Sequence, residues 1–172
     1  MPLYPAADLA ELALFVNAAY RGDSSRRGWT TEADYIGGQR TDEASLREEI
    51  EAKPEAMLLT LRDASDAPLL GCVWLEPEEP GVWYLGMFTV SPELQNRGLG
   101  RTLLALSEAA VRERGATHMR LGVLNVRDEL IGWYQRRGYA PSGETRPFPY
   151  GDDSFGLPVR EGFYFVMLEK RL

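Results

Sequence analysis

The sequence is poor in the residues from which most small catalytic and redox sites are built. Its 172 residues include one cysteine, Cys72, and one histidine, His118. A disulfide framework needs paired cysteines, a structural zinc site about four ligands, and a hydrolytic triad a histidine with partners. Two isolated residues support none of these, and no metal is expected. Cys72, within LLGCVWLE, reads as a small buried strand residue and not a nucleophile. No apolar run approaches the roughly 20 residues that span a bilayer. The opening MPLYPAADLAEL lacks the basic start and apolar stretch of a signal peptide. The expectation is a cytoplasmic protein with no membrane partner. Positive charge is also in deficit, 19 Lys and Arg against 26 Asp and Glu, a net charge of −7. That disfavours nucleic acid as a partner, because phosphate binding needs a basic surface. It suits either attraction of a cationic amine or solubility alone.

What is present is an ordinary globular composition, 44% hydrophobic and 26% charged. The expectation is a single domain over residues 1–172 with a full core. Leu3-Tyr4, hemmed by prolines, suggests a short edge strand. Leu9, Leu12, Val16 and Ala19 recur at helical spacing and predict a helix over Asp8–Tyr20. Arg21–Arg40 is glycine-rich and holds Trp29, Tyr35 and Ile36. It is either a binding loop or a loop with a short helix at Thr31–Ile36. Thr41 or Asp42 caps a helix reaching Ala52, before Pro54. Strands follow at Ala56–Arg62, Leu69–Glu76 and Val82–Val90, joined by short turns into an antiparallel meander. A helix with Leu99, Leu103, Leu106 and Ala110 on one face ends at Gly115, and a strand covers Thr117–Asn125. Val82–Asn125 is thus a βαβ unit with parallel strands. A helix over Arg127–Arg137, a strand start at Tyr139-Ala140, a loop at Pro141–Pro158 and a last strand at Phe163–Leu168 complete the chain. The class is α/β (α+β): a mixed central sheet of about six or seven strands with about four helices.

The turn between Val90 and the helix at Leu99 reads Gln95-Asn96-Arg97-Gly98-Leu99-Gly100-Arg101. A helix N-terminus carries unpaired N–H donors and partial positive charge, which favour an anion. The Walker pattern fails for want of Lys-Ser or Lys-Thr. The dinucleotide pattern fails because Leu103 stands where a third glycine belongs. What remains is Q-x-x-G-x-G, which a purely structural strand-to-helix turn could also contain. Downstream lies Leu130-Ile131-Gly132-Trp133-Tyr134-Gln135-Arg136-Arg137-Gly138-Tyr139.

The two segments, with the strand and helices around them, resemble the GNAT superfamily of N-acetyltransferases over about Leu69–Tyr139. The glycine turn resembles its coenzyme A pyrophosphate motif, and the Tyr134 stretch its FYxxxGF-type segment. The resemblance implies one GNAT-like domain that uses acetyl-CoA as co-substrate and acetylates a primary amine of a small molecule or peptide. Its alternative is a non-catalytic acyl-CoA-binding or regulatory module, and the assembly stays open between monomer and homodimer. Carried over by residue, Gln95, Asn96, Arg97, Gly98, Leu99, Gly100 and Arg101 wrap the pyrophosphate, with Gly98 and Gly100 leaving room for its oxygens. Phe88, Thr89 and Val90 bond the pantetheine arm as an added strand, across a gap that opens toward Thr117–Asn125. Asn125 faces the cofactor. A backbone N–H near Phe88 stabilises the carbonyl oxygen, and Tyr134 protonates the leaving thiolate. No carboxylate lies on the two inner strands, so Glu76, Glu32 and Asp34 are the candidate bases. Of Trp83 and Tyr84, which alternate faces, Tyr84 is expected toward the acceptor. Trp29, Phe148 and Tyr150, on the two long loops, are expected to stack on a cationic or aromatic acceptor.

Overall fold

In the computed structural model, which describes all 172 residues, the chain begins with β1 (Leu3–Pro5), α1 (Leu9–Tyr20), the single-turn α2 (Gly22–Ser25), β2 (Ile36–Gly37) and α3 (Glu43–Ala52). It continues through β3 (Met57–Leu61), β4 (Gly71–Glu79), β5 (Val82–Val90), α4 (Leu99–Arg112), β6 (His118–Leu124) and α5 (Asp128–Gln135). It closes with β7 (Ala140–Pro147), β8 (Leu157–Pro158) and β9 (Tyr164–Arg171). Seven strands form one sheet in the order β1-β3-β4-β5-β6-β9-β7, and β2 and β8 form a separate pair. Every neighbour in the large sheet is antiparallel except β5 and β6, the two strands of the βαβ unit. No helix is long and apolar enough to cross a membrane.

Local chemistry sets the helix boundaries. The Asp8 carboxylate accepts the Glu11 N–H at 2.8 Å, and of the two candidate caps for α3 it is Asp42 that accepts the Ser45 N–H, also at 2.8 Å. Helix α4 starts from Gly98 in the left-handed region, φ 82°, and the chain leaves it at Gly115, φ 84°. Its buried stripe is Leu103, Leu104, Ser107, Glu108 and Val111, with Leu99, Leu106 and Ala110 flanking it half-buried. Buried Glu108 is paired with Lys170 at 2.8 Å and accepts the Tyr139 hydroxyl at 3.0 Å, which ties α4 to β9.

The sheet carries a core on each face. Under α4 and α5 lie Val73, Leu75, Trp83, Leu85 and Leu121, packed against Leu103 of α4. Under α1 and α3 lie Leu12, Val16, Leu46, Cys72, Trp74 and Met87. Strict alternation would put Met87 with Trp83 and Leu85. A bulge against β4 between Cys72 and Trp74, with Met87 at φ 47°, sends it to the opposite face instead. Phe88 then faces α5.

Three sequence expectations change. The Thr31–Ile36 helix is absent, and the extra turn of helix is α2. Strand β4 runs on through Pro77, which sits at a second register shift where a ladder N–H is dispensable. The expected Pro141–Pro158 loop contains strand β7, almost wholly exposed and paired with β9 alone. An edge strand can carry Pro141 and Pro147 because no neighbour needs their missing donors.

Close approach of β4 to β5 yields a test. A Cβ on Gly71 would lie 2.7 Å from the Thr89 carbonyl oxygen and 3.2 Å from Leu103. Gly71→Ala is expected to cost about 1–3 kcal/mol, at roughly 2–4 °C of melting temperature per kcal/mol. An unchanged Tm by calorimetry would contradict that packing.

Candidate active site

Strands β5 and β6 pair only where Val82–Tyr84 meet His118–Arg120. Beyond Tyr84 they diverge, and a cavity of about 570 Å³ opens between them. Leu85, Gly86, Met87 and Phe88 form one wall and Leu121, Gly122, Val123 and Leu124 the other. Glycine at both central positions keeps the walls thin. A Cβ would lie 3.0 Å from the Tyr84 ring at Gly86 and 3.2 Å from Met167 Sδ at Gly122.

One end of the cavity is the N-terminus of α4. Asn96 (φ 64°) and Gly98 (φ 82°) shape the turn, and Gly98, Gly100 and Arg101 line the space. Gly100 has a packing reason besides any ligand, since a Cβ there would meet the Trp133 ring at 3.2 Å. Gln95 works as a strut. Its Oε1 accepts the Trp29 N–H at 2.8 Å and its Nε2 donates to Thr30 Oγ1 at 2.7 Å, which explains the bare Cα at Gly28 beside it. Arg137 stacks over the Trp133 ring at 3.5 Å, and its Nε is buried without a partner. Burial, then Arg136 and Arg101, push its guanidinium below the ordinary value.

Tyr134 is 4% exposed and packs edge-on against Phe88, Trp133 and Tyr139. Its side chain lines the cavity, and its hydroxyl has no hydrogen-bond partner in the protein. Burial first, and then Tyr20, hold that phenol well above the usual range, so it stays protonated throughout the working pH range. On the opposite face of the sheet the Tyr20 hydroxyl donates to the Phe88 carbonyl at 2.6 Å, and burial pushes it up to about 12. Cys72, fully buried, is likewise pushed up to about 12 by burial and is inert as a nucleophile.

The cavity wall reverses the charge of the chain. Arg40, Arg101, Arg127, Arg137 and Arg146 line it, against a single carboxylate, Glu32. Glu32 is engaged through both oxygens, by Arg21 at 3.4 Å and Arg127 at 3.3 Å. The two long loops meet over this end. Ile36 and Gly37 pair with Pro158 and Leu157, and Arg21 donates to the carbonyls of Gly37 at 3.1 Å and Phe155 at 3.2 Å.

Of the residues expected at the site, Phe88, Val90, Gln95, Asn96, Gly98, Gly100, Arg101, Trp29, Glu32, Tyr84 and Tyr134 come together around the cavity. The side chains of three others point elsewhere, although their backbone stays on β5 and in the glycine turn. Thr89 is buried with its hydroxyl on the Met87 carbonyl, Arg97 is exposed, and Leu99 packs on the core. Asn125 braces β9, donating to the Gly162 carbonyl and accepting the Tyr164 N–H, and does not face the cavity. Phe148 is a core residue with Ile36, Leu124 and Phe163, and Tyr150 anchors its loop through Arg160 and Phe163; neither lines the cavity. Glu76, the register partner of Tyr84, is held by Trp74 and Lys53, and exposed Asp34 by Arg26; neither carboxylate lines the cavity. Sequence reasoning missed Tyr20, Arg40, Arg127, Arg137 and Arg146. Arg40 lies inside the phrase GWTTEADYIGGQR, and Arg137 and Arg146 lie inside RRGYAPSGETRPFPY; the unusual glycine, proline and aromatic content of these phrases was their one signal.

Residues 25–139 match the model of the Acetyltransferase (GNAT) family. The chain belongs to that family. Among curated relatives, mycothiol acetyltransferase of Nocardia farcinica is 30% identical over 139 residues, covering 79% of this chain and 43% of that protein. The chain thus spans less than half the length of such relatives. Among solved structures, a ribosomal-protein-alanine N-acetyltransferase from Brucella melitensis superposes with a TM-score of 0.70 at 18% identity, each chain wholly covered. A GNAT family acetyltransferase from Elizabethkingia anophelis with acetyl-CoA bound gives 0.57 at 18% identity, over 73% of this chain and 83% of that one. At these identities the structures speak to the fold of the GNAT domain alone.

The clamp between the loops is open to test. Gly156 has φ 104°, and a Cβ there would collide with Arg21 Nη1 and lie 2.8 Å from the Gly37 carbonyl oxygen. Gly156→Ala is expected to release the β2–β8 pairing and expose the 150–160 segment to limited proteolysis. A cleavage rate equal to that of the wild type would contradict this role.

Proposed function

We propose that this chain transfers the acetyl group of acetyl-CoA to a primary amine by direct attack. One juxtaposition supports the reading above all others: the opened edge of β5 leads from the N-terminus of α4 to the free hydroxyl of Tyr134. The residues present fit the coenzyme. Arg101, Arg136 and Arg137 crowd like charge at one mouth with no carboxylate paired to them, an arrangement that a pyrophosphate relieves. The edge of β5 past Tyr84 has no β6 partner and can pair with an extended amide-bearing arm. The Phe88 carbonyl is excepted, because Tyr20 already occupies it.

The coenzyme supplies an acyl group activated as a thioester; the remaining tasks fall to the protein. A backbone N–H of the Met87–Phe88 bulge is assigned to the acyl oxygen, as in an oxyanion hole. The amine must be neutral to attack. With Glu32 engaged by two guanidiniums, no carboxylate on the cavity wall is free to act as a base, and desolvation in the cavity disfavours the ammonium form. Water carries the proton away. Tyr134, protonated at all working pH values, donates to the departing thiolate and regains a proton from solvent before the next turnover.

Tyr134→Phe deletes one oxygen from a packed ring. It is expected to lower kcat by about 100-fold or more, while calorimetry finds the acetyl-CoA Kd within about twofold of wild type. Unchanged kcat would remove Tyr134 from the chemistry.

A further inference from the structure

The cavity passes through the sheet, and its two faces differ. Trp133, Tyr134, Arg137 and Arg101 belong to the α4 and α5 side. Tyr20 packs with the α1 and α3 core, and Tyr84 points to that side too, opposite Trp83 and Leu85. With the donor's phosphates assigned to Arg101 and Arg137, the far side is left for the acceptor. It carries guanidiniums of its own. Arg127 is neutralised by Glu32, and Arg146 by two bonds to Glu78 at 2.8 and 3.1 Å and one to Glu144 at 3.0 Å. Arg40 has no carboxylate partner and no side-chain hydrogen bond. It stands 5.8 Å from the centroid of the Tyr20 ring. Its backbone is fixed: Asn17 Oδ1 accepts the N–H of Arg40 at 2.6 Å and of Thr41 at 3.1 Å, and Asn17 Nδ2 donates to the Thr41 carbonyl at 2.7 Å. A half-buried guanidinium on a fixed backbone, with no counter-ion and facing a cavity, is suited to an anion.

We infer that the acceptor is a small amine bearing a carboxylate, an amino acid in the chemical sense, and that Arg40 receives this carboxylate on the side of the sheet opposite the donor's phosphates. The inference rests on the acetyltransferase reading and reverses the cationic acceptor that the net charge of −7 suggested. Tyr84 lies beside the subsite, under Arg146 at 5.7 Å, and walls it with Pro147 and Phe155. The loop clamp over this end favours a compact acceptor over a long peptide.

The test is thiol release from acetyl-CoA with L-amino acids, each paired with its α-amide, and with putrescine as a dication. The panel is run on wild type, Arg40→Gln and Arg40→Lys. Thermal shift with acetyl-CoA, read on all three proteins, reports donor binding and folding. Expected is a kcat/KM about 10- to 100-fold higher for the preferred acid than for its amide. Arg40→Gln should abolish the preference while the acetyl-CoA shift persists, and Arg40→Lys should restore part of it. If acetyl-CoA binds but amides or putrescine are used as well as the acids, or no acid in the panel turns over, the inference falls and the donor reading stands. The inference falls in the same way if Arg40→Gln keeps the preference. If acetyl-CoA gives no shift in folded wild type, both fall.

Discussion

A strand that loses its neighbour must find other partners for its backbone groups, because unpaired N–H and C=O in a buried place are costly. That constraint governs this molecule. Strand β5 pairs with β4 along its length but with β6 only from Val82 to Tyr84, and the sheet is split from there on. The split is stable because its surroundings are fixed independently. Strand β6 is held on its other side by β9 over seven register pairs, and β5 is anchored by the tight Gly71 contact and the Met87 bulge. Tyr20 takes up one of the exposed acceptors, the Phe88 carbonyl. The remainder is a ready edge for an extended ligand.

The bulge has a second consequence. By turning Met87 to the α1 and α3 face it points Phe88 at Trp133 and Tyr134, so neighbouring residues of this cavity wall face opposite sides of the sheet. The cavity therefore joins two differently furnished chambers. The chamber below α4 has a helix N-terminus and clustered arginines. The other has Tyr84, Arg40 and Arg146 under a clamp made of the two long loops. A chain with net negative charge thereby keeps a positive interior, and its acidic exterior says little about what binds there.

Most of the fold was legible because period-2 and period-3.6 patterns are local. Strand β5 matches its expected span residue for residue, and α1 and α3 agree to within a cap. The start of strand β7 at Ala140 was legible but its continuation to Pro147 was not, since an exposed edge strand with two prolines has neither an alternating apolar face nor a full set of donors. The β2–β8 pair was hidden for another reason: two-residue pairings between distant loops leave no periodicity to read. At the site, the Gln95–Arg101 turn could be found through its glycine spacing, and Tyr134 through the family resemblance of its segment. Gln95 itself proved to brace Trp29 and Thr30, a role no spacing reveals. Aromatic content misled at Phe148 and Tyr150, which serve the core and the loop instead. Arg40 was missed because a lone arginine in a loop looks like surface until its unpaired position inside the cavity is seen.

All of this depends on the open edge of β5 being where the donor lies, which amide hydrogen exchange measures directly. Acetyl-CoA is expected to slow exchange at the backbone of Leu85–Val90 and Gly98–Arg101 and to leave Met57–Leu61 of β3, already paired on both sides, unchanged. Protection confined to other segments, with Leu85–Val90 exchanging as before, would contradict the account.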